Sequence, residues 1–115
     1  MDRHVYIKAV LDHYRRTPGT LGHARPEGRR LAAALYDRGV LLEQIDAALL
    51  LATVRRTFRP KDAPPLNPIR SLSYLLPLLD EIRINPPDPG YLRYLQWKLD
   101  QQAGTDTPLP KGFSR

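Results

Sequence analysis

The residues best suited to chemistry in this chain are arginines, and they are unevenly spread. Arg15, Arg16, Arg25, Arg29 and Arg30 fall in one short stretch, and Arg55, Arg56 and Arg59 in a second. A guanidinium is a permanent cation whose planar fork of donors matches phosphate oxygens two at a time. Arg29 and Arg30 follow Pro26-Glu27, a helix start, where the dipole disfavours positive charge by a few tenths to about 1 kcal/mol each. Something outside the helix's own stability is therefore expected to hold them there. Arg55, Arg56 and Arg59 close a helix, where the same dipole favours cations, so they rank second. The placement nominates all eight as contacts to a nucleic-acid backbone. The competing reading is a solvated cationic face, since a GC-rich genome also raises arginine content.

Other chemistries are excluded by residue type or spacing. Cysteine is absent, which removes disulfides, thiolate-bound metals, iron–sulfur clusters and thiol catalysis, and suggests a reducing compartment. The chain has no glycine-rich phosphate loop and no strand-Ser-helix elbow. His4, His13 and His23 stand nine and ten residues apart, so a metal pair is not expected and surface histidines are. Asp80 and Glu81 are adjacent, and adjacent positions on a helix point in different directions, which makes them solvated charge and not an acid pair. The expectation is a binding module, not an enzyme, with no metal and no cofactor.

A length of 115 residues, 42% hydrophobic and 26% charged, suits one domain with one core. The expected division is a helical domain over 1–103 and a flexible tail over 104–115. Eighteen Lys and Arg against twelve Asp and Glu leave a net charge of +6, and fourteen of the cations are arginine. Residues 1–60 hold a net +5 and residues 61–115 only +1, so the excess belongs to the first half. That bias favours a polyanionic partner, DNA first and RNA second. No apolar run approaches the ~20 residues of a membrane span, so a cytoplasmic protein without membrane contact is expected.

The positioning elements are all helical, giving an all-α, compact bundle of about five helices. Ile7, Val10 or Leu11, and Tyr14 recur at helical spacing over residues 2–16, and Thr17-Pro18-Gly19 stops them. Leu31, Ala34 and Leu35 stripe a second helix opened by Pro26 and closed by Gly39. The third, about Leu42 to Phe58, has a wide apolar face and should be central. Its unbroken Leu50-Leu51-Ala52 argues against a helix-turn-helix, which needs a turn there. A fourth helix is expected to start at Asn67-Pro68 and continue through Ile82, kinked or broken near Pro77 at a cost of roughly 3 kcal/mol. Asp88-Pro89 starts a fifth, ending near Gln102, and the tail beyond Gly104 is expected to be mobile. On that fifth helix Tyr91, Tyr94 and Trp97 form one stripe, suited to core burial or partner docking and, less commonly, to base stacking.

Tyr74, Leu75, Leu78, Leu79 and Ile82 reproduce the spacing of the Tyr-Ile-x-x-Ile-Leu-x-x-Trp motif in the C-terminal domain of DnaD-like replication proteins, with Ile82 at the tryptophan's place. Upstream, Tyr14, Gly19, Pro26-Glu27, Gly39, Ile45 and Ala48 fall in a similar order, so the chain resembles that domain over roughly residues 5–83. The resemblance implies a helical module that binds DNA, often single-stranded, and points to Tyr74, Arg83, Arg93 and Lys98. The combined expectation is a nucleic-acid-binding accessory protein of DNA replication or of a mobile genetic element, working with a larger replication, transposition or nuclease complex. The alternative is a protein-interaction subunit that docks on a nucleoprotein enzyme or forms a homo-oligomer through Tyr91, Tyr94 and Trp97.

Overall fold

Helix ends leave backbone donors and acceptors without partners, and this chain supplies most of them locally. Asp2 accepts from the His4 amide at 3.2 Å and starts α1 (Arg3–Arg16). α2 (Pro26–Asp37) opens on proline and closes in a Schellman turn: Gly39, at φ +77°, donates to Tyr36, and Val40 donates to Leu35, both at 3.0 Å. α3 (Leu42–Thr57) has Leu41 at its N-cap, and the Gln44 side chain accepts from the Leu41 amide at 2.9 Å. α4 (Leu76–Ile84) is preceded by a 3-10 turn, Leu72–Leu75. α5 (Pro89–Gln102) is capped by Asp88, which accepts from the Gly90 amide at 2.8 Å. This architecture comes from a computed structural model that describes residues 1–22 and 26–104. Arg25, His23 and the expected tail beyond Gly104 lie outside the described residues.

The bundle of five helices matches the expected class, and no strand occurs among the described residues beyond one isolated bridge. α1 and α2 form an antiparallel hairpin, pinned where Arg3 meets Asp37 at 3.2 Å and where the Tyr6 and Tyr36 rings lie 5.2 Å apart. α3 runs unbroken and packs on α1, α4, α5 and the 3-10 turn, so it is the central element. Ile45, Ala48 and Ala52 on α3 are essentially inaccessible and meet Val10 and Tyr14 of α1, Leu35 of α2, and Leu75 and Leu79 beyond in one core. α5 is the outlier. It rests on α3, and Leu95 is its only buried residue.

The fourth helix corrects the sequence expectation in two ways. It does not begin at Asn67-Pro68; Ile69 is instead extended and pairs with Thr20 in a parallel bridge. The Ile69 amide donates to the Gly19 carbonyl at 2.7 Å, its carbonyl accepts from the buried Tyr14 hydroxyl at 3.2 Å, and its side chain is 2% exposed. Tertiary partners thus satisfy both backbone groups that a helix would have used internally. The break near Pro77 is present as the change from 3-10 to α at Leu75–Leu76. Pro77 falls in the first turn of α4, where an amide has no intrahelical acceptor, so the expected loss of a bond to Ser73 does not arise.

The two buried tyrosines of α1 should respond oppositely to loss of the hydroxyl. Tyr14→Phe strands the buried Ile69 carbonyl and should lower unfolding stability by about 1–2 kcal/mol in urea. Tyr6, whose buried hydroxyl has no hydrogen-bond partner among the described residues and whose ionisation burial pushes up, should tolerate Tyr6→Phe with little loss or a slight gain. Equal destabilisation by the two changes would refute the assigned bonding.

Candidate nucleic-acid interface

Of the eight arginines nominated from sequence, the seven that lie among the described residues fall into three structural groups. Two are occupied. Arg15 is bound to Asp12 one turn back on α1, at 2.6 Å. Arg55, near the end of α3, makes a two-pronged pair with Glu81 of α4, one arm at 3.0 Å. That pair is half exposed, so its weight lies in fixing geometry more than in stability. Glu81 holds the Arg55 guanidinium above its ordinary pKa, with burial opposing and the nearby phenols of Tyr91 and Tyr74 adding to the effect. Arg55 in turn holds the Glu81 carboxyl below its ordinary value, chiefly by the hydrogen bond, with burial opposing and the charge of Arg55 adding to it. Glu81 is thus a cross-helix tie, not the unattached charge expected from its position beside Asp80.

A second group is held without a carboxylate. Arg29 and Arg30 lie exposed on α2, away from its buried stripe of Gly28, Ala32 and Leu35, and neither has an ion pair among the described residues. Among the described residues only Glu27, in the first turn of α2, is placed to offset the unfavourable dipole there.

The third group shares a surface. Arg16, after the last buried residue of α1, lines a cleft of about 580 Å³ between α1, α3 and α5. Arg56 and Arg59 line a smaller cleft that adjoins it, with Pro18, Thr53 and Thr57 common to both. Arg56 donates to the Asn67 carbonyl at 2.9 Å and lies against Gly19, whose φ of +94° suits glycine and where an added Cβ would stand 2.9 Å from Arg56 Nε. Arg16 and Arg59 have no ion pair among the described residues. Arg16 from the first sequence cluster and Arg56 and Arg59 from the second therefore line adjoining clefts.

The same cleft contains polar groups that spacing did not reveal. His13 Nδ1 and Asp46 Oδ1 lie 2.6 Å apart, joining α1 to α3, so this histidine is a tie between helices and not only a surface residue. Gln96 donates to Asp100 at 3.0 Å on the α5 wall. His13 and Asp46 are too distant in sequence to suggest one another, and the only signal was the polar face each occupies on its helix. Among the described residues no group of acidic residues and histidines is arranged to hold a metal.

Tyr94 and Trp97 stack on each other with centroids 5.8 Å apart and are half buried, whereas Tyr91 is 47% exposed. Of the residues to which the DnaD-like resemblance pointed, Tyr74 is 43% exposed, Arg83 pairs with Asp80 at 3.5 Å, and Arg93 is exposed. Lys98 places its ammonium 4.4 Å from the centre of the Phe58 ring, a cation–π contact that fastens α5 to the end of α3.

An all-α bundle with an arginine-lined double cleft is what the described residues define. No protein-family model, curated protein or solved structure matches the chain. Among the described residues no helix is long and apolar enough to cross a membrane.

The Arg55–Glu81 tie has a measurable signature. The Glu81 carboxyl should titrate below 4.5 when followed by NMR, and Arg55→Ala should return it towards that value. Because the folded pKa is depressed, the tie's contribution is present above the unfolded value and fades as pH falls through the folded one. An unchanged Glu81 midpoint in Arg55→Ala would contradict the pairing.

Proposed function

We propose that the protein is a small nucleic-acid-binding accessory factor that contacts the phosphate backbone through Arg16, Arg56 and Arg59, with Arg29 and Arg30 as an outlying cationic patch. The observation that carries this reading is the adjoining pair of clefts with three arginines on their lining, of which Arg16 and Arg59 have no carboxylate partner among the described residues. A site built from point contacts to phosphate gains affinity by releasing counterions, so binding should weaken steeply with salt. DNA is the first candidate partner and RNA the second, as the charge balance of the first half suggests. The DnaD-like pattern of Tyr74, Leu75, Leu78, Leu79 and Ile82 supports a role in DNA replication or a mobile genetic element, alongside a larger machine. Chemistry on the substrate is left to that machine, and the chain acts as a non-enzymatic cytoplasmic adaptor.

A second reading is supported by α5, which buries only Leu95 and leaves Tyr91 47% exposed beside the Tyr94–Trp97 stack. In that reading α5 is a docking helix for a partner protein or a second copy.

Titration with fluorescent single- and double-stranded oligonucleotides at two salt concentrations separates the two. Under the first reading Arg16→Glu with Arg59→Glu should lower affinity at least about tenfold while leaving helical content intact, and doubling the salt should weaken the parent severalfold. Flat titrations at low salt would remove it in favour of docking, which Tyr91→Ala with Trp97→Ala should abolish.

A further inference from the structure

The adjoining clefts differ in chemistry in a way that orients a ligand. The larger, about 580 Å³, is mostly apolar, with Leu49, Leu50 and Leu99 among its lining, and its volume falls within the range of small-molecule sites. Two carboxylates also line it. Asp46 commits Oδ1 to His13, and Asp100 commits Oδ1 to Gln96, and neither Oδ2 makes a hydrogen bond among the described residues. An ionised carboxylate only accepts, so each remaining oxygen is open to a donor on a ligand in place of water. The cations, by contrast, gather in the smaller cleft, where Arg56 and Arg59 lie beyond Thr53 and Thr57, with Arg16 on the larger side.

A flat apolar group with donors at its edge, linked to an anion, complements this arrangement at both ends. We propose that the larger cleft takes one unpaired nucleobase bearing an exocyclic amino group (adenine, cytosine or guanine) while the attached phosphate sits on Arg56 and Arg59 in the adjoining cleft. The inference rests on the nucleic-acid reading above and adds base selection to it. Thymine and uracil present a carbonyl oxygen where cytosine presents its amino group, and a carbonyl facing Asp46 or Asp100 sets acceptor against acceptor. The backbone contacts hold any sequence, and the cleft discriminates among the bases.

The test uses the full chain with fluorescent d(C)8, d(A)8 and d(T)8 at one low salt concentration. The two amino-bearing strands should bind at least about fivefold tighter than d(T)8, the lower range for one well-placed base contact. Asp100→Asn, on an exposed wall of α5, should narrow that ratio towards one, because an amide presents a donor as well as an acceptor. On the unmutated chain, dCMP should shift the backbone NMR signals of Leu50, Thr53 and Leu99, whereas inorganic phosphate should move only those near Arg56 and Arg59. Equal affinity for all three strands, with salt-sensitive binding retained, would overturn the base cleft and leave the backbone reading standing. So would dCMP shifts that spare Leu50 and Leu99. Absence of binding to every strand at low salt would overturn both.

Discussion

The fold depends on the fastening of one extended residue, Ile69, to the corner where α1 ends. Its amide donates to Gly19, its carbonyl accepts from Tyr14, and its side chain enters the core, so every group it has is committed to another part of the chain. Two residues earlier, the Asn67 carbonyl accepts from Arg56 at the end of α3. These bonds close the long proline-rich connection between α3 and the 3-10 turn and bring α4 back onto α3. Without them the connection has little of its own to order it, since Lys61, Asp62, Pro64, Pro65, Leu66, Asn67 and Pro68 are all exposed. The Tyr14 hydroxyl matters because a buried carbonyl left alone costs its full desolvation.

The same fastening makes the cationic surface. Gly19 carries the acceptor for Ile69 and, having no side chain, lets the Arg56 guanidinium lie directly against the chain. Arg56 thereby stands beside Pro18 and near the cleft that Arg16 lines. Structure and charge are therefore coupled at this corner: groups that order the connection also decide where positive charge is displayed. Arg15 and Arg55, next in sequence to Arg16 and Arg56, are turned to Asp12 and Glu81. Neighbouring arginines on a helix point about 100° apart, so each adjacent pair divides into one that ties helices or turns and one that faces the cleft.

Much of the helical framework is legible in the residues. Asp2, Gly39 and Asp88 mark helix ends because capping is a local matter, decided by side chains and backbone within a few positions. The burial of Val10, Leu35, Ile45 and Leu79 follows from apolar spacing alone. The stretch around Ile69 is not legible, because an apolar residue after Asn-Pro is equally at home in a helix and the competing partners, Gly19 and Tyr14, lie some fifty residues away. Pro77 reads as a fault inside a helix for the same reason: its harmlessness depends on where the helix starts, and Ile69 decides that from outside.

The sequence by itself determined the class of fold, the number of helices, the approximate limits of α1, α2, α3 and α5, the absence of cysteine chemistry and the concentration of positive charge in the first half. Those properties depend on composition and on contacts within a turn or two. Only the tertiary structure decided which arginines share a surface, that His13 meets Asp46, and that Asp46 and Asp100 line the same cleft. Such groupings arise from how separate helices pack, and helix periodicity carries the buried face of each helix but not the neighbour that its polar face will meet.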